Sequence, residues 1–296
     1  MTRHRSQRRR GPLHSRLCSI LGAAVVATLA LAGCSQGASS EPANSAAAAG
    51  LPSEHVHGIS RDPGSGKVNL ATHKGLFVLQ SDASWLPVGP VVDLMGFAVS
   101  GPGTFYASGH PGAGVDLPSP VGLIRSTDAG RTWTSLSRGG ESDFHAMTAS
   151  SKGVMGFDGV VRMTSDGKTW STGALSVPPR TLAAAPDGSQ VLATTEQGVL
   201  SSADDGRTWV SLDSAPVLLL SAWADSSTVV GITPDGGLAL SADAGRTWRT
   251  DLAKLSSAQA LSAGRDSAGG LEILVATDAG VLQSRDEGAS FTTLTS

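Results

Sequence analysis

Five histidines, one methionine and a few carboxylates are the side chains of this 296-residue chain whose types could act together chemically. His55, His57, His73, His110 and His145 offer imidazole nitrogens, and Met95 offers a thioether. Imidazole suits zinc and copper, and a thioether favours cuprous copper, so the set reads as a site for one transition metal, copper or zinc. Asp93, Asp143, Asp158 and Glu196 could add oxygen ligands. Two of them could instead work as the carboxylate pair of a glycosidase. Arg180 could hold an anionic ligand. No phosphate-binding loop, dinucleotide glycine pattern, cysteine pair or Gly-x-Ser-x-Gly elbow offers competing chemistry. Whether the candidates meet depends on the elements that carry them.

Those elements are set by a repeat. Ser126-Thr127-Asp128-Ala129-Gly130-Arg131-Thr132-Trp133 returns at Ser202–Trp209 and Ser241–Trp248, shortened at Thr164–Trp170, and worn at Ser284–Phe291 and Ser81–Trp85. Its aspartates, Asp82, Asp128, Asp166, Asp204, Asp243 and Asp286, are spaced by 46, 38, 38, 39 and 43 residues, the length of one four-stranded blade. A turn explains the composition: Ser, Thr and Asp side chains bind backbone N–H groups, Gly takes a positive φ, and Trp opens the next strand. The six aspartates are therefore structural. Short apolar runs between Gly and Asp turns, without helical periodicity, predict an all-β, six-bladed propeller of four-stranded antiparallel blades over residues 51–296. The repeated turn joins the third strand of each blade to the fourth.

That register brings the chemical residues together. Strands alternate up and down, so the start of each innermost strand shares a face with the loop between strands two and three, and the repeated turns lie underneath. His57, Met95, His145 and Arg180 align at the heads of the first strands of blades one to four. His55, Asp93 and Asp143 stand two residues earlier, on the same side of the strand. The loops between strands two and three carry His73, His110, Asp158 and Glu196. All five histidines after the leader thus fall on the top face.

The repeat resembles the Asp-box, or BNR-repeat, β-propellers, a group that includes bacterial sialidases, sortilin-type receptors and photosystem assembly factors. His55-Val56-His57-Gly58, Ala71–Leu76, Ala107–Pro111 and Asp143–Met147 resemble, more narrowly, a family of bacterial propeller lipoproteins labelled glycosyl hydrolases. That resemblance implies the propeller fold and raises a hydrolase reading. A sialidase-like mechanism would need three arginines, a tyrosine nucleophile and an acid. The one tyrosine, Tyr106, falls inside a second strand, and Arg131, Arg207 and Arg246 belong to the repeated turns. A two-carboxylate glycosidase using Asp93, Asp143, Asp158 or Glu196 stays open. So does a non-catalytic scaffold that binds a protein or small ligand on its top face, with the loop Gly109–Pro120 as a lid or docking surface.

The first fifty residues have another purpose. Six arginines precede an apolar run ending in Leu31-Ala32-Gly33-Cys34, the pattern of a lipoprotein signal peptide over residues 1–33 with Cys34 lipidated. Residues 34–50, rich in Ser, Ala and Gly, read as a flexible tether. These features place the protein on the outer face of a bacterial cell membrane, anchored by lipid. Cys18 leaves with the leader, so no disulfide is expected. Removing the six leader arginines from 22 basic residues leaves 16 against 25 acidic ones, a net charge of −9 that argues against nucleic acid as a partner. The expected partners are the membrane and an unidentified protein or small molecule, and the expected state is a monomer.

Overall fold

The structure is a computed structural model and describes residues 50–250 and 252–295. The leader, Cys34 and the tether as far as residue 49 lie outside the described residues. From Val56 onward the chain forms six antiparallel sheets. Blade one holds β1 (Val56–Arg61), β2 (Val68–Thr72), β3 (Gly75–Leu79) and β4 (Trp85–Val88). Blade two holds β5 (Val92–Gly101), β6 (Thr104–Pro111), β7 (Leu123–Ser126) and β8 (Thr134–Ser137). Blade three follows with β9 (Ala146–Ser150), β10 (Gly153–Phe157), β11 (Val161–Thr164) and β12 (Ser171–Thr172). Blade four contains β13 (Thr181–Ala184), β14 (Val191–Thr195), β15 (Gly198–Ser202) and β16 (Val210–Ser211). In blade five only β17 (Leu220–Trp223), β18 (Val229–Ile232) and β19 (Leu238–Ser241) are regular. Among the described residues its fourth strand is represented by the bridges Gly237↔Lys254 and Leu240↔Arg249. Blade six is β20 (Ala258–Arg265), β21 (Leu271–Thr277), β22 (Gly280–Ser284) and β23 (Thr292–Thr295).

The innermost strands β1, β5, β9, β13, β17 and β20 touch in that order, and β20 returns to β1, which closes the ring. The second strands are the most buried: β2, β14 and β21 are buried throughout, as strands covered on both faces must be. Among the described residues no strand is exchanged between the first and last blades, and side chains join them. Val56, Ile59 and Leu70 pack with Ala260, Leu274 and Val281. The backbone N–H of Val56 donates to Gln259 Oε1 at 2.7 Å, and Arg61 pairs with the buried Glu272.

The repeated turns do what their composition predicts. In the best copy Asp128 Oδ1 accepts from Thr132 N–H at 2.9 Å and Oδ2 from the Thr132 hydroxyl at 2.7 Å, while Ser126 Oγ accepts from Gly130 N–H at 2.8 Å. One detail goes beyond the expectation: two successive residues, not one, take positive φ, Ala129 at 59° and Gly130 at 85°. Asp205, Ala244 and Glu287 repeat this before their glycines. A Cβ on Gly130 would lie 2.1 Å from Leu76 of blade one. The turn is therefore also a contact between blades, and it needs glycine for close approach as much as for φ.

Candidate functional site

The heads of the innermost strands frame a funnel of about 350 Å³ on the axis at the top face. Its wall carries His57, Met95, His145 and Arg180, the aligned set, together with Gln259 of blade six. The side chains reach the axis for a local reason. Pairing of β1 with β2 slips between Val56 and Gly58, that of β5 with β6 between Leu94 and Gly96, and that of β20 with β21 between Ala258 and Ala260. His57, Met95 and Gln259 are the extra residues of these three bulges, and a bulge re-aims the side chain it carries. Gln259 escapes sequence reasoning because blade six has no histidine with which to align. Its Nε2 donates to Asp278 Oδ1 and to the carbonyl of Glu54, at 2.6 and 3.2 Å, in addition to the bond that closes the ring.

The histidines form two groups rather than one. In the first, His57 Nε2 lies 3.1 Å from His73 Nε2, and His73 Nδ1 lies 2.8 Å from Asp93 Oδ1. His55 packs edge-on against His73, with ring centroids 5.5 Å apart. A carboxylate can only accept, so His73 Nδ1 carries a proton, and His73 turns its Nε2 toward His57. Burial, and then the nearby His73, lower the pKa of His57 below its ordinary 6.5, so its ring is neutral at neutral pH. Among the described residues, His57, His73 and Asp93 are the one set of three or more His, Cys, Asp or Glu side chains whose ligand atoms all fall within 4.8 Å of each other.

In the second group Asp143 stands between two imidazoles. Its Oδ2 accepts from His145 Nε2 at 2.8 Å and from His110 Nε2 at 3.1 Å, and His110 Nδ1 lies 3.3 Å from Ser119 Oγ. Both histidines therefore donate to one oxygen, while Oδ1 is buried with no hydrogen-bond partner among the described residues. This clamp ties the end of β6 to the approach to β9. The predicted lid over Gly109–Pro120 is tied down as well: β6 runs on to Pro111, and Val121 N–H donates to the Gly109 carbonyl at 2.8 Å.

The remaining candidates are dispersed. Asp158, half-buried on the β10–β11 loop with its side chain 7% exposed, accepts from Ser142 Oγ at 2.5 Å and from Arg162 Nε at 2.9 Å, with Arg138 Nη2 at 3.4 Å. Burial alone would raise its pKa, but these hydrogen bonds and the two guanidinium groups outweigh it and hold the carboxyl below its ordinary 3.8. Arg138 and Arg162 had no place at this face in the sequence reading. Arg180 and Glu196 share the wall of a separate cleft between blades four and five. Met95 faces the funnel beside His57. Tyr106 lies within β6, as expected.

The fold and its mouth define the class: a six-bladed, all-β propeller whose axial funnel is lined by imidazoles. No protein-family profile and no curated protein matches the chain. Similar solved structures are propellers. A GH74 enzyme of Niastella koreensis is 17% identical with a TM-score of 0.56, and the match covers 81% of this chain and 37% of that one. The chain thus spans well under half the length of that enzyme. YCF48 from Cyanidioschyzon merolae is 15% identical with a TM-score of 0.52, covering 79% and 96% of the two chains. A gluconolactonase from Xanthomonas campestris is 12% identical with a TM-score of 0.59, covering 76% and 84%. At such identities the likeness establishes the fold.

Proposed function

We propose that the funnel mouth binds one transition-metal ion, zinc or copper, through His57 and His73, in an exported protein tethered to a membrane by lipid on Cys34. The observation that carries the site is the 3.1 Å approach of the two Nε2 atoms. Imidazole nitrogens bound to tetrahedral zinc at about 2.0–2.1 Å stand about 3.3 Å apart, so the two nitrogens already stand at nearly that separation, and a metal ion would replace the proton between them. Asp93 has the place of the carboxylate that fixes the tautomer and orientation of a ligating histidine. Met95 on the same wall would favour cuprous copper. Two protein ligands leave positions open to a small molecule entering by the funnel. The anchor rests on the Leu31–Cys34 pattern.

The glycoside hydrolase reading, which the GH74 neighbour invites, finds less support in the carboxylates. Asp93 and Asp143 each accept from histidines, and Asp158 lies under two arginines. Glu196 lines a different cleft from His57 and His145. Among the described residues no carboxylate lines the funnel wall, so no free pair faces across it. Calorimetric titration of zinc and of cuprous copper into protein purified without a histidine tag tests the metal site. One ion per chain is expected. No uptake at micromolar metal would refute it.

A further inference from the structure

A cleft of about 630 Å³ lies beside the funnel, between blades four and five at the top face. Its walls come from four connections: the lead into β13, the β14–β15 turn, the lead into β17 and the β18–β19 turn. Pro178, Pro179 and Pro234 supply rigid apolar faces, and Val217 adds a side chain 55% exposed to solvent. An exposed valine between proline rings on a concave wall is apolar surface that a ligand could cover. The prolines have little freedom to lose, so the cleft is preformed.

Two charges edge it. Arg180, exposed, makes no side-chain hydrogen bond or ion pair among the described residues, in contrast to Arg138 and Arg162, which are both committed to Asp158. Its backbone is pinned by the bond from Arg180 N–H to the Thr194 carbonyl at 2.7 Å, which fixes where the guanidinium starts. A planar fork of donors suits a carboxylate. Glu196, on the same wall, is also without a partner among the described residues, and it would repel a second negative charge.

We infer that this cleft binds a monocarboxylate with an apolar body, its carboxylate on Arg180 and its hydrocarbon against Pro178, Pro179, Pro234 and Val217. The cavity is the size of a ligand well above a simple acetate. Glu196 selects against dianions. Arg180 also lines the funnel, so a ligand seated here has its charged end beside the axis. The site is independent of the metal reading, and it gives the protein a second specificity.

Calorimetry with 4-phenylbutyrate and its primary amide is the test, with an acetylated apolar tripeptide, free acid against amide, as a second pair of probes. The acid of at least one pair should bind about tenfold more tightly than its amide, because a charge-assisted bond is lost in the amide. Which pair binds separates a small organic acid from a peptide end. Arg180→Gln should abolish that difference with the melting temperature unchanged, and Glu196→Gln should admit phenylsuccinate, a dianion the unaltered protein refuses. Equal binding of acid and amide, no binding of either pair at millimolar concentration, or unaltered acid binding in Arg180→Gln would overturn the inference.

Discussion

His57 and His73, from the head of one strand and the loop beyond the next, turn their Nε2 atoms toward each other at 3.1 Å while Asp93 of the following blade holds His73 from behind at 2.8 Å. A neutral pair in this arrangement must share one proton between two nitrogens or give both lone pairs to a cation. Lowering the pKa of His57 by burial works against a third option, a charged imidazolium at His57. The second group is built oppositely: His110 and His145 point N–H donors at Asp143, which leaves no converging lone pairs.

The glycine behind the site should be irreplaceable. A Cβ on Gly109 would fall 1.8 Å from the carbonyl oxygen of Asp93, and Gly109 has φ near +141°, where L side chains are strained. Gly109→Ala is expected to cost about 2 kcal/mol or more by urea unfolding and to weaken metal binding by moving Asp93.

Ring closure should depend on Gln259. Without it the Val56 N–H and the Glu54 carbonyl lose their partner at the seam between the first and last blades. Gln259→Ala should lower stability by about 1–3 kcal/mol. Gln259→Glu, which keeps the acceptor for Val56 but sets a carboxylate against Asp278 and the Glu54 carbonyl, should be no more stable than Gln259→Ala at neutral pH and should gain stability relative to it as pH falls and the carboxyl pair takes up a proton. Chemical denaturation followed by tryptophan fluorescence reads both.

Acid should unfold the propeller late. Hydroxyl and backbone donors of the turns, Thr132 first for Asp128, hold Asp128, Asp204, Asp243 and Asp286 at about 2 against an ordinary 3.8. A depressed carboxylate pKa means that the unfolded chain takes up protons first. The contribution of these turns is then complete above pH 3.8 and lost as pH falls toward about 2. Urea midpoints should therefore hold down to about pH 4 and drop below it, and Asp128→Asn should flatten part of that slope.

Cys34→Ser should move the protein from the membrane fraction to the soluble one when expressed in a bacterium that processes lipoproteins. Detergent-phase partition and mass spectrometry of the N-terminal peptide check this directly. An unmodified Cys34 in membrane-bound protein would contradict the anchor.

The fold could be read from the sequence because the repeated turn fixes a register: once Asp128, Asp204 and Asp243 are aligned, strand order follows from chain reversal alone. The shared face of His57, His73, His110 and His145 follows from the same register. Their division into two groups does not, since it depends on ring orientation, and Asp143 stands near enough to His110 and His145 to claim both. Gln259 stayed hidden because its function comes from a bulge, which leaves no mark in composition. Asp158 looked free because the arginines that neutralise it approach from a neighbouring connection and from β11.

The most direct measurement of the central claim is metal content by mass spectrometry on tag-free protein, unaltered and as His57→Ala, His73→Ala and His110→Ala. One zinc or copper per chain in the unaltered protein and in His110→Ala, with none in the other two, is the predicted result. Equal retention in all four proteins, or loss in His110→Ala alone, would contradict it.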